Sequence, residues 1–401
     1  MLARVAGTGV ALALRPSAMW AFQATQPEVA DIVRTTIGID THNHIDVALT
    51  AADRPGPAID LAGELTRSGL SAICMTFAVD YQRITEPSQG YERFINGLTS
   101  MDEQLVRGNM KRSLNLADIR AAHVPGKPTV IQSVEGAHFL EGRVARVEEA
   151  YRRGLRHLGL LHDSDASVPL GDVYTNPPTL GGLTALGADV IRECNRLGIL
   201  VDLAHGSVDM VRAALKITKT PVIISHTGLD TQLGQNPNMA RMMRPRLISK
   251  ELARDVAGAG GVVSVWTHLA DTPAEYAQNI RALVDVMGID HVGIGTDTKL
   301  TPSSGGGRGG GRGPQGNPDV QQGASARGRS KGGVEGGRGP GGQGGGRVGE
   351  RTNQVWQGQD AGFYYTVVDA MLKAGFTPGE IGKVGGGNFL RVFDAATASK
   401  P

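Results

Sequence analysis

The sequence predicts an α/β chain of the (β/α)8 TIM-type barrel class, and three features of it carry that prediction. Strand-like apolar runs alternate with helical ones from Asp31 onward, eight such runs can be counted, and most of them end on a titratable side chain. Alternation of this kind marks a parallel sheet wrapped by helices. In a closed barrel every strand delivers its C-terminal end to the same face, so residues distant in sequence meet over one cavity.

The eight runs are IGIDTH, SAICMTF, PTVIQSV, LRHLGLL, ILVDLA, PVIISH, GVVSVW and HVGIGT. Both faces of each are apolar or β-branched, as suits strands buried beneath a ring of helices. Leu183 to Leu197, Val208 to Ile217, Ser249 to Ala257, Ala274 to Met287 and Ala361 to Ala374 carry apolar residues at three- and four-residue spacing, the helical period. Thr272, Pro273 and Glu275 spell a capping-box start with proline at the first helical position. Gly385 to Gly387 reads as a turn between two helices.

The chain divides into residues 1–25, a leader or disordered N-terminus; 26–302, the barrel with its eight strands; 303–350, a disordered Gly/Arg-rich insertion; and 351–396, the helices that complete the barrel. Arg4 precedes an apolar stretch from Val5 to Leu14, which Arg15 and Pro16 interrupt. A membrane-spanning helix needs about twenty apolar residues, and this stretch has about ten. No transmembrane span is expected. A periplasmic or secreted location follows if the first segment acts as a signal peptide, and a cytoplasmic one otherwise.

Thr301 to Glu350 holds about twenty of the 57 glycines, six arginines and no aromatic residue, too little apolar surface to offset the entropy of ordering it. Its GRGGGRG pieces resemble arginine-glycine segments that bind RNA but lack the aromatic rings on which bases stack. The net charge of +2 is near balance and much of the basic excess sits in this tract, so no nucleic-acid partner is expected. As a loop after strand eight it borders the predicted cavity. Cys74 and Cys194 read as small buried apolar residues, not as a disulfide framework.

The chemistry gathers at the strand ends. His42 and His44 follow IGID, Glu135 follows VIQSV, His162 follows LGLL, His205 follows LVDLA, His226 follows VIIS and Asp297 follows VGIGT. Imidazoles two residues apart on an extended chain point to one side and can share a metal. With Glu135, His205 and His226 at the same face, the donors are imidazole and carboxylate, the set zinc favours, and one carboxylate can bridge two ions. His157 lies inside its strand and reads as structural; His123, His138 and His291 read as loop or packing residues. His268 also follows a strand but is surplus to the ligand set, and Asp163 and Asp165 read as solvated loop carboxylates.

The words DTHNHID, SVEGAHFL, RHLGLLH, VDLAHGS, VIISHTG, HVGIGTD and GGGNFLRVF, in this order, resemble the membrane dipeptidase (renal dipeptidase) family, peptidase family M19, from Asp31 to Ala395 apart from the glycine tract. The resemblance implies a peptidase with two Zn2+ per chain that cleaves small dipeptides, and a homodimer. It implies that His42 and the residue two later bind one zinc, that Glu135 bridges, and that His205 and His226 bind the second. Where the family usually has aspartate, this chain has His44, a neutral ligand in place of an anion, with Asp46 as a fallback. It further implies that His162 contacts substrate and stabilises the oxyanion, that Arg246 grips a terminal carboxylate, with Arg241 and Arg244 nearby, and that Asp297 moves the proton from water to leaving amine. After Asp297 the family usually continues Phe-Asp-Gly, where this chain has Thr298, Lys299 and Leu300.

Two other readings stand beside the dipeptidase. One is an amidohydrolase acting on another amide, lactam or ester, favoured by His-x-His, although no lysine ends any assigned strand. The other is a non-catalytic barrel whose arginine-glycine loop serves as an interaction module; salt-sensitive RNA binding lost on deleting Ser304 to Glu350 would mark it.

Overall fold

A computed structural model describes residues 27–54, 56, 58–123, 127–164, 166–175, 177–301 and 350–398. The expected leader, nearly all of the expected insertion, and Asp165 lie outside the described residues.

Each of the eight strand-like runs forms a strand: β1 (Ile39–His44), β2 (Ala72–Thr76), β3 (Thr129–Val134), β4 (Leu155–Gly159), β5 (Leu200–Asp202), β6 (Ile223–Thr227), β7 (Val262–Val265) and β8 (Val292–Ile294). Neighbours in sequence pair in parallel. Past Asp297 the chain resumes as β9 (Thr298–Lys299), which sets Asn43 opposite Thr298 and His44 opposite Lys299 and so brings the last strand back to the first. The result is the TIM-type barrel that the alternation predicts. The helices that wrap it include α1 (Pro27–Thr35), α2 (Leu61–Ser68), α3 (Gln89–Arg107), α4 (Leu116–Ala122), α5 (Ala145–Arg152), α6 (Ala185–Leu197), α7 (Val208–Ile217), α8 (Pro237–Met243), α9 (Lys250–Gly258), α10 (Pro273–Met287), α11 (Phe363–Lys373), α12 (Pro378–Gly382) and α13 (Asn388–Thr397).

One end of the barrel is plugged. Ile39, Ala72, Leu200, Ile223 and Val262, which open their strands or lie at their N-terminal ends, pack with Phe389, Val392, Phe393 and Ala396 of α13. That leaves the C-terminal mouth for chemistry. At the seam, Asp40 is fully buried and accepts from Thr296 N at 2.8 Å, Thr296 Oγ1 at 2.6 Å and Asn43 Nδ2 at 2.8 Å. Asn43 in turn reaches Thr352 Oγ1 at 2.8 Å and accepts from Leu300 N at 2.8 Å. Asp40→Ala strands these donors without water, so unfolding in urea should show a loss of about 3 kcal/mol or more. A variant within about 0.5 kcal/mol of wild type would show that the seam does not depend on this carboxylate.

Two local expectations need correction. Gly385 to Gly387 are not a turn but lie in a π-helical stretch, Lys383–Gly387, that runs α12 into α13. Glycine is required because a Cβ on Gly386 would stand 2.0 Å from Ile37 O and one on Gly385 2.1 Å from Tyr364 Oη. Thr272 does cap α10, accepting from Glu275 N at 3.1 Å, but the Glu275 carboxylate takes the Asp271 N–H at 2.7 Å, so only half of the box exists. A complete capping box opens α12 instead, from Thr377 and Glu380.

Candidate metal centre

The alternation of side chains along β1 turns His42 and His44 into the mouth and Asn43 into the seam, and the two imidazole Nε2 atoms stand 3.3 Å apart. Glu135, one residue beyond β3, lies among the imidazoles. Its Oε1 is 2.8 Å from His205 Nε2, 3.4 Å from His42 Nε2 and 3.5 Å from His226 Nε2; its Oε2 is 3.3 Å from His162 Nε2 and 3.8 Å from His44 Nε2. Asp297 Oδ1 lies 3.0 Å from His44 Nε2 and 3.8 Å from His42 Nε2. The structure thus brings all seven strand-end residues into one cluster. His205 and Asp297 reach it in the left-handed region, with φ of 66° and 55°, a conformation that costs a non-glycine residue about 1–3 kcal/mol and is held where the surroundings over-determine it.

The Nδ1 atoms face away from the cluster, each toward a polar partner. His42 and His226 share Ser225 Oγ at 3.3 and 2.9 Å. His205 Nδ1 meets Asp163 Oδ1 at 3.0 Å and Tyr174 Oη at 3.0 Å, His162 Nδ1 meets Asp80 Oδ1 at 2.7 Å, and His44 Nδ1 meets Tyr81 Oη at 2.6 Å. A neutral imidazole carries its proton on one nitrogen, so a partner that accepts from Nδ1 leaves the Nε2 lone pair free to bind a cation.

Burial works against charge on Glu135, but His162, His42 and the hydrogen bond from His205 hold its carboxyl well below the usual range. Asp297 is likewise buried and is held low by His226, His268 and His44. Burial opposes charge on His42 and His162 too, yet Glu135 beside them, with Asp80 for His162, pushes them up to about 9 and about 10. Burial and the neighbouring His42 drive His226 well below its ordinary value. Two anions are therefore balanced by protons on imidazoles, positive charge that a divalent cation can replace.

These residues fit a metal. Glu135 Oε2 is buried without a hydrogen-bond partner among the described residues. Three overlapping groups, His42 with Glu135 and His226, His42 with His44 and Asp297, and Glu135 with His162 and His205, each hold their donor atoms within 4.8 Å. Ligands about 2.1 Å from a tetrahedral zinc stand about 3.4 Å from one another, close to the spacing around Glu135. The grouping also sets Asp297 and His162, read from sequence as proton carrier and oxyanion donor, within reach of a cation.

Other expectations divide. Of the three arginines, Arg246 is the one at the site, paired with Asp163, while Arg241 and Arg244 are exposed. Asp163 is thus not a solvated loop carboxylate: it joins Arg246 to His205. Asp46 pairs with Lys299 at 2.5 Å and stands apart from the metal-capable groups. His268 meets Asp297 Oδ2 at 2.8 Å from outside those groups, and His157 is buried inside the barrel against Ser133 Oγ at 2.8 Å. Sequence reasoning missed Asp80, Tyr81, Tyr174 and Ser225. Asp80 and Tyr81 follow the SAICMTF run by a few residues, the strand-end position that flagged the others.

A barrel whose C-terminal mouth gathers imidazoles around a buried carboxylate is the architecture of a metal-dependent hydrolase. The model of the membrane dipeptidase family, peptidase family M19, matches residues 26–307, and the chain belongs to that family. Over 179 residues it is 30% identical to the dipeptidase verJ of Clonostachys rogersoniana, a match covering 43% of each protein, so the chain spans less than half of that relative. Among solved structures it resembles an amidohydrolase from Pseudomonas aeruginosa (TM-score 0.67, 21% identity, 92% of this chain and 99% of that one). It also resembles a metallopeptidase from Rhodobacter sphaeroides liganded with a phosphinate mimic of the dipeptide L-Ala-D-Ala (TM-score 0.60, 16% identity, 90% and 99% covered). At these identities the structural likenesses speak for the fold. Among the described residues no helix is long and apolar enough to cross a membrane.

Proposed function

We propose that this chain is a zinc-dependent dipeptidase that hydrolyses small dipeptides at a two-ion centre. The observation that carries the reading is Glu135, a buried carboxylate with one oxygen facing His42, His205 and His226 and the other facing His162 and His44. One ion would be held by His42, His44 and Glu135 with Asp297 in reach, the other by Glu135, His205 and His226. Bound zinc supplies Lewis acidity and brings the pKa of a water near neutrality.

The chain's own residues do the rest. His162, pushed up to about 10 and so protonated on both nitrogens, donates Nδ1–H to Asp80 and presents Nε2–H to a developing oxyanion. Asp297, its Oδ2 against His268, accepts the proton of the attacking water and hands it to the leaving amine. Arg246 grips the substrate carboxylate by exchanging it for Asp163, its partner in the free protein. Arg246→Ala should therefore raise KM for dipeptides by about 10- to 100-fold, the worth of a charge-assisted hydrogen bond. An unchanged KM in steady-state assays would assign the carboxylate to another group.

The reading is tested by assaying a panel of L,L and L,D dipeptides with purified full-length protein, with added zinc and after chelation. Zinc-dependent cleavage is expected. No cleavage by folded, zinc-loaded protein would move the assignment to another amide, lactam or ester.

A further inference from the structure

We propose that Tyr81 is the positioning residue that makes His44 a metal ligand, an inference that rests on the two-ion reading above. The starting point is His44, which shares with His42 and Asp297 a group whose donor atoms lie within 4.8 Å of one another. A carboxylate offers lone pairs on both oxygens in any state of charge that binds metal. An imidazole does not: Nε2 can bind a cation only if the ring's proton sits on Nδ1, and a proton there needs an acceptor.

Tyr81 Oη supplies that acceptor, 2.6 Å from His44 Nδ1. The competing arrangement is built into the same site. With the proton on Nε2, His44 would donate to Asp297 Oδ1, 3.0 Å away, and leave the ligand set. A cation between His42, His44 and Asp297 favours the first arrangement, in which Tyr81 accepts and turns its own hydroxyl proton elsewhere. It can do so because a phenolic oxygen both donates and accepts and its proton rotates about the C–O bond.

Of the other Nδ1 partners, Ser225 is fully buried and Asp80 nearly so, while Asp163 beside His205 is partly exposed and also paired with Arg246. Tyr81 is the most exposed of these partners as a residue, and its hydroxyl can be removed alone. The ring, edge-on to His162 at 5.8 Å and tilted against His44 at 6.0 Å, keeps its packing in Tyr81→Phe.

The experiment is calorimetric titration of the chelator-stripped full chain with Zn2+, with Co2+ absorption as a second readout, for wild type, Y81F, H44D and H44D/Y81F. Wild type should take up two ions. Y81F should bind one ion as wild type does and the other about 10- to 100-fold more weakly, the usual effect of removing a residue that orients a ligand. In the H44D background the tyrosine should make no difference, because aspartate has no tautomer to set. Wild-type binding of both ions by Y81F, or an equal loss in the H44D background, overturns the inference while the two-ion centre stands. A wild-type chain that takes up no ion overturns both.

Discussion

Replacing Glu135 by glutamine should lower kcat/KM for dipeptides by about 10³-fold or more, about 4 kcal/mol of transition-state stabilisation. Zinc uptake should fall with it, while the barrel remains folded. The carboxylate is almost wholly buried, and its two oxygens face five imidazoles within 3.8 Å. An amide keeps the shape but offers one acceptor oxygen and no charge, so neither of the two proposed ions would keep a shared anion. The metal-free protein gives an independent check. His42 is raised from 6.5 to about 9 by Glu135 against the pull of burial. A raised folded-state value contributes stability that is fully present below the unfolded pKa and is lost as pH climbs through the folded one. Glu135 raises His162 to about 10 as well, so stripped wild type should lose stability between about pH 6.5 and 10, and E135Q should show a flatter profile. Urea midpoints that are pH-independent in stripped wild type would contradict the charge assignment.

Asp297→Asn should lower kcat by about 10²- to 10⁴-fold, the range for losing a positioned proton carrier, with KM nearly unchanged. The asparagine can still meet His268 and His44, so the geometry survives and the proton transfer does not. Single-turnover rates and zinc content measured together separate the two roles open to this residue. Loss of rate with both ions retained marks a proton carrier, and loss of one ion marks a ligand. Activity within tenfold of wild type would hand the role to another group, and His268, 2.8 Å from Asp297 Oδ2, is the first to examine.

Much of the fold and of the site is legible in the sequence. The eight strands could be read because parallel strands in a barrel are apolar on both faces and short, and the site because barrel strands end on one face. His42, His44, Glu135, His162, His205, His226 and Asp297 are each at or just past a strand end, and the structure gathers them. What stayed hidden lies one layer out. Asp163 looked solvated because nothing local announces that Arg246, 83 residues on, returns to it. Tyr174 lies in an irregular stretch, with no periodicity to place it against His205. Asp80 holds His162 across 82 residues of chain. The positive φ of His205 and Asp297 is equally invisible, since only packing forces a non-glycine residue there. The Gly385 to Gly387 run misled for a related reason: glycines that signal a turn locally are here required by contact with Ile37 and Tyr364 from distant parts of the chain.

The most direct test of the metal centre is anomalous diffraction at the zinc edge from crystals of the full chain grown with zinc. Two peaks flanking Glu135 are expected, one beside His42 and His44, the other beside His205 and His226. A mouth free of peaks in zinc-loaded crystals, or a single peak with His44 turned to Asp297, would contradict the two-ion centre.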